Sequence, residues 1–237
     1  MRIIEEFLTL QGEGKYLGVP TYFIRTTGCN LRCAWKNSDG TITKCDTPYS
    51  SWNAEKGYDF NIGKFFRDNK RGTFKHVVIT GGEPMLQHDI ASIVKELQSK
   101  HYIVTIETNG TRFNKDIIGA FISISPKMAT SYYATEKELK MHVANNKFMI
   151  PISQWLKSCH NDYQIKFVYN DKSDVDEILR LQNVLCIPSE KIYLMPQGIT
   201  TKQFKDKQRE LFIECKKNGW NYTPRMHIDI YGNIRGI

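Results

Sequence analysis

Apolar and polar positions along this chain follow two periods in turn. Short runs rich in β-branched and aromatic residues, Thr21-Tyr-Phe-Ile-Arg25, Val77-Val-Ile79, Ile103-Val-Thr-Ile106, Phe121-Ile-Ser-Ile124, Ile165-Lys-Phe-Val-Tyr169 and Ile192-Tyr-Leu-Met195, read as six strands. Between them Ile90, Ile93, Val94 and Leu97 recur at i, i+3, i+4 and i+7, the spacing of a helix with one apolar face. Val175, Ile178, Leu179, Gln182 and Leu185 mark a second such face. Ile62, Phe65 and Phe66 sit at helical spacing, and Phe204, Gln208, Leu211 and Phe212 form a face on which Cys215 falls as a packing residue. The stretch from Ala129 to Tyr163 breaks the rhythm and reads as an insertion or lid. In it Thr135 with Glu138 has the form of a capping box opening a helix toward Val143, and Ile150-Pro151 is expected to end regular structure. The last stretch, Arg225 to Ile237, reads as strand-like.

Strands alternating with helices predict parallel βα units, which gather ligand sites at the C-terminal ends of the strands. Those ends carry Thr80-Gly-Gly-Glu-Pro84, Glu107-Thr-Asn-Gly110, Ser125-Pro-Lys127 and Pro196-Gln-Gly198. Six units are too few for an eight-stranded barrel. The expectation is an α/β fold, a partial, open βα barrel of about six parallel strands, forming one domain over residues 1–237. Glycines at 12, 14, 81 and 82 let backbone approach a ligand closely. Arg25, at a strand end, could hold a carboxylate by two parallel hydrogen bonds or be a surface or ion-paired arginine. Glu83 offers a carboxylate to an ammonium group.

A hydrophobic fraction of 41% can fill a sizeable core, and no run is long and uncharged enough to span a membrane. The acidic start, Met-Arg-Ile-Ile-Glu-Glu, lacks the apolar segment of a signal peptide, so a cytoplasmic protein is expected. The net charge of +8 favours anionic ligands. The basic residues are dispersed and no RNP, KH or zinc-finger pattern occurs, so direct nucleic-acid binding is not expected.

Chemistry concentrates between Gly28 and Trp52. Cys29 and Cys33 are separated by three residues and Cys45 follows after eleven more, with Asn37-Ser-Asp-Gly40 between them reading as a turn. Three thiolates can converge on one metal centre there, although three small core residues would give the same spelling. A structural zinc asks for four protein ligands, and no second cysteine pair is present to supply them. An iron–sulfur cluster on three thiolates leaves one iron open to a substrate or cofactor. Cys159, Cys186 and Cys215 have no metal-like spacing.

The cysteine motif, then strand-Gly-Gly-Glu-Pro, then strand-Glu-Thr-Asn-Gly, resembles the radical S-adenosylmethionine superfamily. Within it the chain is similar to the 7-carboxy-7-deazaguanine synthase family, through Leu10-Gln-Gly-Glu-Gly14, Arg25, Gly28-Cys-Asn30, Cys45-Asp-Thr47, Ser125-Pro-Lys127 and Gly232-Asn-Ile-Arg-Gly236. The resemblance implies that Cys29, Cys33 and Cys45 hold a 4Fe-4S cluster whose open iron is chelated by the methionyl end of S-adenosylmethionine, from which reduction yields a 5′-deoxyadenosyl radical. It assigns Gly81, Gly82 and Glu83 to the methionyl end. Lys44, Asp46, Glu107, Ser125, Pro126, Lys127, Met195, Pro196, Gln197 and Gly198 are then further cofactor contacts. Leu10, Gln11, Gly12, Glu13, Arg25, Thr80, His227 and Ile237 fall to the substrate, 6-carboxy-5,6,7,8-tetrahydropterin, and Thr47 to Mg2+. The implied reaction is a radical ring contraction that releases ammonia, in queuosine or other deazapurine biosynthesis. The implied partners are a flavodoxin-like or other reductant and a second copy in a homodimer. The superfamily's usual spacing of three residues and then two is not kept, since residues 34–44 lengthen the second gap, which reads as an insertion in the cluster loop. Two other readings are an activating enzyme that makes a glycyl radical on a partner protein, and a zinc- or cluster-stabilised nucleic-acid module. The first leaves Arg25 and Thr47 unexplained, and the second leaves Gly-Gly-Glu-Pro and Glu-Thr-Asn-Gly without a purpose.

Overall fold

Val77, Val78 and Ile79 are all 0% exposed, so the strand they form is covered on both faces, as a central parallel strand must be. In the computed structural model, which describes residues 1–69, 72–132, 135–158 and 160–237, that strand lies in a nine-stranded sheet. Cys159 lies outside the described residues. The strands are β1 (Arg2–Leu10), β2 (Pro20–Thr26), β3 (Ala34–Lys36), β4 (Ile42–Lys44), β5 (Tyr58–Asp59), β6 (His76–Gly81), β7 (Ile103–Thr108), β8 (Phe121–Ile124), β9 (Tyr163–Tyr169), β10 (Ile192–Pro196) and β11 (Asn221–Tyr222). The main sheet runs β11-β10-β9-β8-β7-β6-β2-β1-β5, with β3 and β4 paired separately. From β2 to β11 every neighbour is parallel, while β1 runs antiparallel to both β2 and β5. The six strands expected from sequence are thus the six adjacent central strands β2 and β6 to β10. Among the described residues no pairing joins β11 to β5, so the sheet stays open.

Helices α1 (Ile62–Asp68), α2 (Ile90–Ser99), α3 (Glu136–Asn145), α4 (Met149–Lys157), α5 (Ser173–Leu185), α6 (Thr201–Asn218) and α7 (Met226–Tyr231) fill the connections. Helix α2 buries Ile90, Ile93, Val94 and Leu97, the four residues of the predicted face, and α5 buries Val175, Ile178 and Leu181. Helix α6 turns Phe204, Leu211 and Cys215 inward, whereas Phe212, expected on the same face, is 64% exposed. The capping box at Thr135 and Glu138 forms and opens α3.

Two expectations fail for local reasons, and one strand goes unannounced. Pro151 does not end regular structure; it sits in the first turn of α4, where its missing N–H has no intrahelical acceptor to lose. The final stretch is not a strand. Its alternation of Ile228 and Ile230 is illusory, because α7 buries Ile228 and leaves Ile230 61% exposed. Strand β1 has no apolar run to announce it, since Glu5 is spent on ion pairs with Arg25 and Arg235 while Leu8 and Leu10 face outward.

At the opposite end of the sheet from the strands' C-termini, His76 ties β2 to β7. Its Nδ1 lies 2.7 Å from Thr21 Oγ1 and its Nε2 2.7 Å from Thr105 Oγ1. Burial lowers the pKa of His76 from 6.5 to about 4, outweighing the carboxylate of Glu107. A base whose folded pKa is depressed stabilises the fold fully above its unfolded value and loses that contribution as pH falls toward the folded one. Between pH 7 and 4.5 the wild-type protein is therefore expected to lose about 2 kcal/mol that a His76→Gln variant does not. Urea denaturation of both proteins at the two pH values measures the difference, and parallel losses would refute the assignment.

Candidate active site

Parallel strands bring their C-terminal ends to one edge, and alternate residues to one face. Both coincide in a cavity of about 410 Å³ whose wall takes every second residue from neighbouring strands: Phe23 and Arg25, Glu107 and Asn109, Ser123 and Ser125, Lys166 and Val168, Met195 and Gln197. Its size falls in the range of small-molecule sites. The same cavity is lined by Cys29, Cys33 and Cys45 on one side, and by Gln11, Gly12, Glu13 and His227 from the loop after β1 and from α7.

The long gap between the second and third cysteines closes on itself. Strands β3 and β4 pair antiparallel with Ala34 opposite Lys44 and Lys36 opposite Ile42, and the predicted turn at 37–40 joins them. The backbone N–H of Cys45 then donates to the carbonyl of Cys33 at 3.1 Å. The eleven intervening residues therefore return the third cysteine to the second. Burial pushes the Cys29 thiol up to about 12 and raises those of Cys33 and Cys45 as well, so without metal all three stay protonated near neutrality. Metal binding would displace those protons. Among the described residues no three His, Cys, Asp or Glu side chains are gathered tightly enough for a single ion. A four-iron cluster asks for something different, one thiolate on each of three irons, and these three cysteines at one cavity wall fit that demand.

Next to the cysteines the Gly-Gly-Glu-Pro loop folds flush against the cluster loop. A Cβ on Gly82 would run into the carbonyl oxygens of Gly28 and Ser50, so only glycine fits. Glu83 does not reach the cavity. Its carboxylate is fully buried and accepts from Met85 N–H at 2.9 Å, Thr108 Oγ1 at 2.8 Å and Asn109 N–H at 2.7 Å, joining the two Gly-bearing loops. Burial raises its pKa despite those donors. Asn109 in turn donates through Nδ2 to Asn30 Oδ1 at 2.9 Å, inside the cysteine loop.

A chain of charges crosses the floor. Glu13 pairs with Lys166 and, at 3.0 Å, with Arg225 Nε, while the far side of the Arg225 guanidinium holds Asp46. Lys166 Nζ also stands 4.0 Å from Glu107, which accepts from Gln11 Nε2 at 3.2 Å and Thr80 Oγ1 at 3.0 Å. Burial opposes ionisation of Glu13, but Lys166 and Arg225 overcome it and hold the carboxylate well below its usual range. The carboxylate is therefore a fixed acceptor, not a proton shuttle. Gly12 packs against the His227 ring so closely that a Cβ would collide with Nδ1. Arg25 is ion-paired with Glu5, as one of the two sequence readings had it, and Glu5 also takes Arg235 Nε at 2.6 Å.

Of the residues expected at the site, Leu10, Gln11, Gly12, Glu13, Arg25, the three cysteines, Lys44, Asp46, Thr47, Thr80, Gly81, Gly82, Glu107, Ser125, Lys127, Met195, Gln197, Gly198, His227 and Ile237 line the cavity. Glu83, Pro126 and Pro196 do not. Sequence reasoning missed Lys166, Arg225 and Tyr49, which do. Lys166 had a signal: a lysine in the middle of a strand otherwise covered on both faces is rarely buried without a partner.

A profile of the Radical SAM superfamily matches residues 23–130. A 7-carboxy-7-deazaguanine synthase of Rhodopirellula baltica is 35% identical over 99% of this chain and 88% of its own length. One of Halobacterium salinarum is 33% identical over 98% and 90%. The crystal structure of QueE from Escherichia coli superposes with a TM-score of 0.65 at 25% identity, covering 95% of this chain and 94% of that one.

Proposed function

The chain belongs to the 7-carboxy-7-deazaguanine synthase family of the radical S-adenosylmethionine superfamily, and from that premise we propose that it converts 6-carboxy-5,6,7,8-tetrahydropterin to 7-carboxy-7-deazaguanine with loss of ammonia. Membership brings an iron–sulfur cluster and S-adenosylmethionine, which together supply the one-electron chemistry that abstracts a hydrogen atom. The observation that carries the reading is that one cavity is lined both by the three cysteines and by Gln11, Glu13, Arg25 and His227.

In this reading Cys29, Cys33 and Cys45 hold the cluster. Gly81 and Gly82 offer backbone to the methionyl end, with Ser125, Lys127, Met195, Gln197 and Gly198 along the rest of the cofactor. Glu83 acts behind the wall, fixing both loops. Gln11 and the carboxylate of Glu13 suit the N–H edge of a pterin, since Glu13 is held ionised as an acceptor. Arg25 takes the pterin carboxylate by leaving Glu5, which keeps Arg235 as its counter-ion. Thr47, which lines the cavity, would offer a hydroxyl oxygen to Mg2+, which would offset the negative charge of the substrate. Residues 1–237 act as one domain, in a cytoplasmic homodimer served by a flavodoxin-like or other reductant. Among the described residues no helix is long and apolar enough to cross a membrane.

The test is anaerobic turnover by reconstituted protein with S-adenosylmethionine, reductant, Mg2+ and the carboxytetrahydropterin. Deazapurine absorbance and mass should appear together with ammonia, and Arg25→Met should raise KM at least tenfold. Cleavage of S-adenosylmethionine without deazapurine would keep the superfamily chemistry and remove the substrate.

A further inference from the structure

Residues 129–132 and 135–146, part of the stretch that reads from sequence as an insertion or lid, touch the cluster loop at two points. Ala34, directly after Cys33, forms a parallel bridge with Tyr132. The backbone N–H of Arg32, between Cys29 and Cys33, donates to Nδ1 of His142 on α3 at 3.1 Å. On its other side the same stretch is pinned to α5, where Thr130 Oγ1 donates to Asp174 at 2.7 Å and Ala129 N–H to Glu177 at 3.0 Å. It also grips the Ser-Pro-Lys loop through Asn146 Nδ2, which donates to the Lys127 carbonyl at 2.8 Å.

His142 is 0% exposed, and its ring centroid lies 4.5 Å from that of Tyr132. Accepting at Nδ1 puts the proton on Nε2, which has no partner among the described residues. A buried N–H without a partner is destabilising, a penalty that a phenyl ring in the same place would avoid. What the phenyl ring could not do is receive the Arg32 amide. Burial keeps the imidazole neutral, and hence an acceptor, down to about pH 4.

We propose that His142 is a positioning residue for the cluster loop. Through it the α3 segment acts as a brace, fixing the loop between Cys29 and Cys33 against α5 and the Ser-Pro-Lys loop. The identity of the metal group rests on the proposed function, and His142 itself does not line the cavity. Removing the acceptor loosens the loop, so the cluster is held less well while the global fold is little changed.

Two measurements on wild type, His142→Phe and His142→Gln decide it. Hydrogen exchange of the metal-free proteins reads the Arg32 amide directly, and His142→Phe should exchange there at least tenfold faster. After anaerobic loading with ferrous iron and sulfide, a ferrous chelator should strip His142→Phe about 10–100-fold faster than wild type. His142→Gln, which keeps an oxygen within reach of the amide, should recover part of both. A His142→Phe protein with wild-type Arg32 exchange, or with wild-type cluster loss despite a melting temperature near that of wild type, overturns the brace. If wild type itself takes up no cluster, it is the proposed function that fails, and the amide measurement on metal-free protein still decides for or against the brace.

Discussion

A Cys45→Ala protein is expected to fold as wild type and to have no turnover above background. Cys45 is half-buried at the foot of the β3–β4 hairpin, and what holds the hairpin to the loop is its backbone N–H on the Cys33 carbonyl, which alanine keeps. Loss of one partly covered thiol should cost no more than about 1 kcal/mol. The chemistry, by contrast, has no substitute for it: two thiolates leave two irons of the cluster without protein ligands, and the group that generates the radical is not retained. The combination separates the cluster from a structural zinc, whose removal would unfold the chain. Iron and sulfide analysis, S-adenosylmethionine cleavage and a thermal melt on one preparation suffice. A variant that unfolds favours structural metal, and one that still turns over removes Cys45 from the ligand set.

The legible part of this molecule was the part governed by period. Central strands such as His76–Gly81 are covered on both faces and so announce themselves as apolar runs, and α2 shows its buried stripe residue by residue. The loops at the strand ends were legible as motifs, because backbone packed as tightly as Gly82 against Gly28 tolerates no side chain. What escaped was governed by long-range pairing. Nothing local distinguishes Arg225 from a surface arginine, since its partners Glu13 and Asp46 lie 212 and 179 residues away. Strand β1 escaped for the same reason: Glu5 faces inward only because Arg25 and Arg235 are there to meet it. Glu83 was read as a ligand group because a carboxylate beside two glycines looks available. Three donors from its own and the neighbouring loop consume it.

Arg225 is where the second large effect is expected. One guanidinium holds Glu13 through Nε, the Gly198 carbonyl through Nη1 at 2.6 Å and Asp46 through Nη2. It thereby joins the residue after the third cysteine to the loop after β1 and to the end of β10. Arg225→Leu leaves two carboxylates facing a buried apolar side chain, and loss of one partner from a buried ionic group costs about 3–5 kcal/mol. Arg225→Lys should recover less than half, because a single ammonium cannot span both acids and the carbonyl. The pH dependence follows from Glu13. In wild type its folded pKa is depressed, so its contribution is complete above the unfolded value of 4.5 and fades only as pH falls through the lower folded value. Without Arg225, and with burial unchanged, Lys166 and His227 hold Glu13 ionised less strongly, so it takes up its proton at higher pH in the variant and acid unfolding begins earlier. Urea denaturation of Arg225→Leu and wild type from pH 8 to pH 4 tests both statements. Equal stability at pH 7, or an unmoved acid limb, would mean that the charges across the cavity floor are held by something other than Arg225.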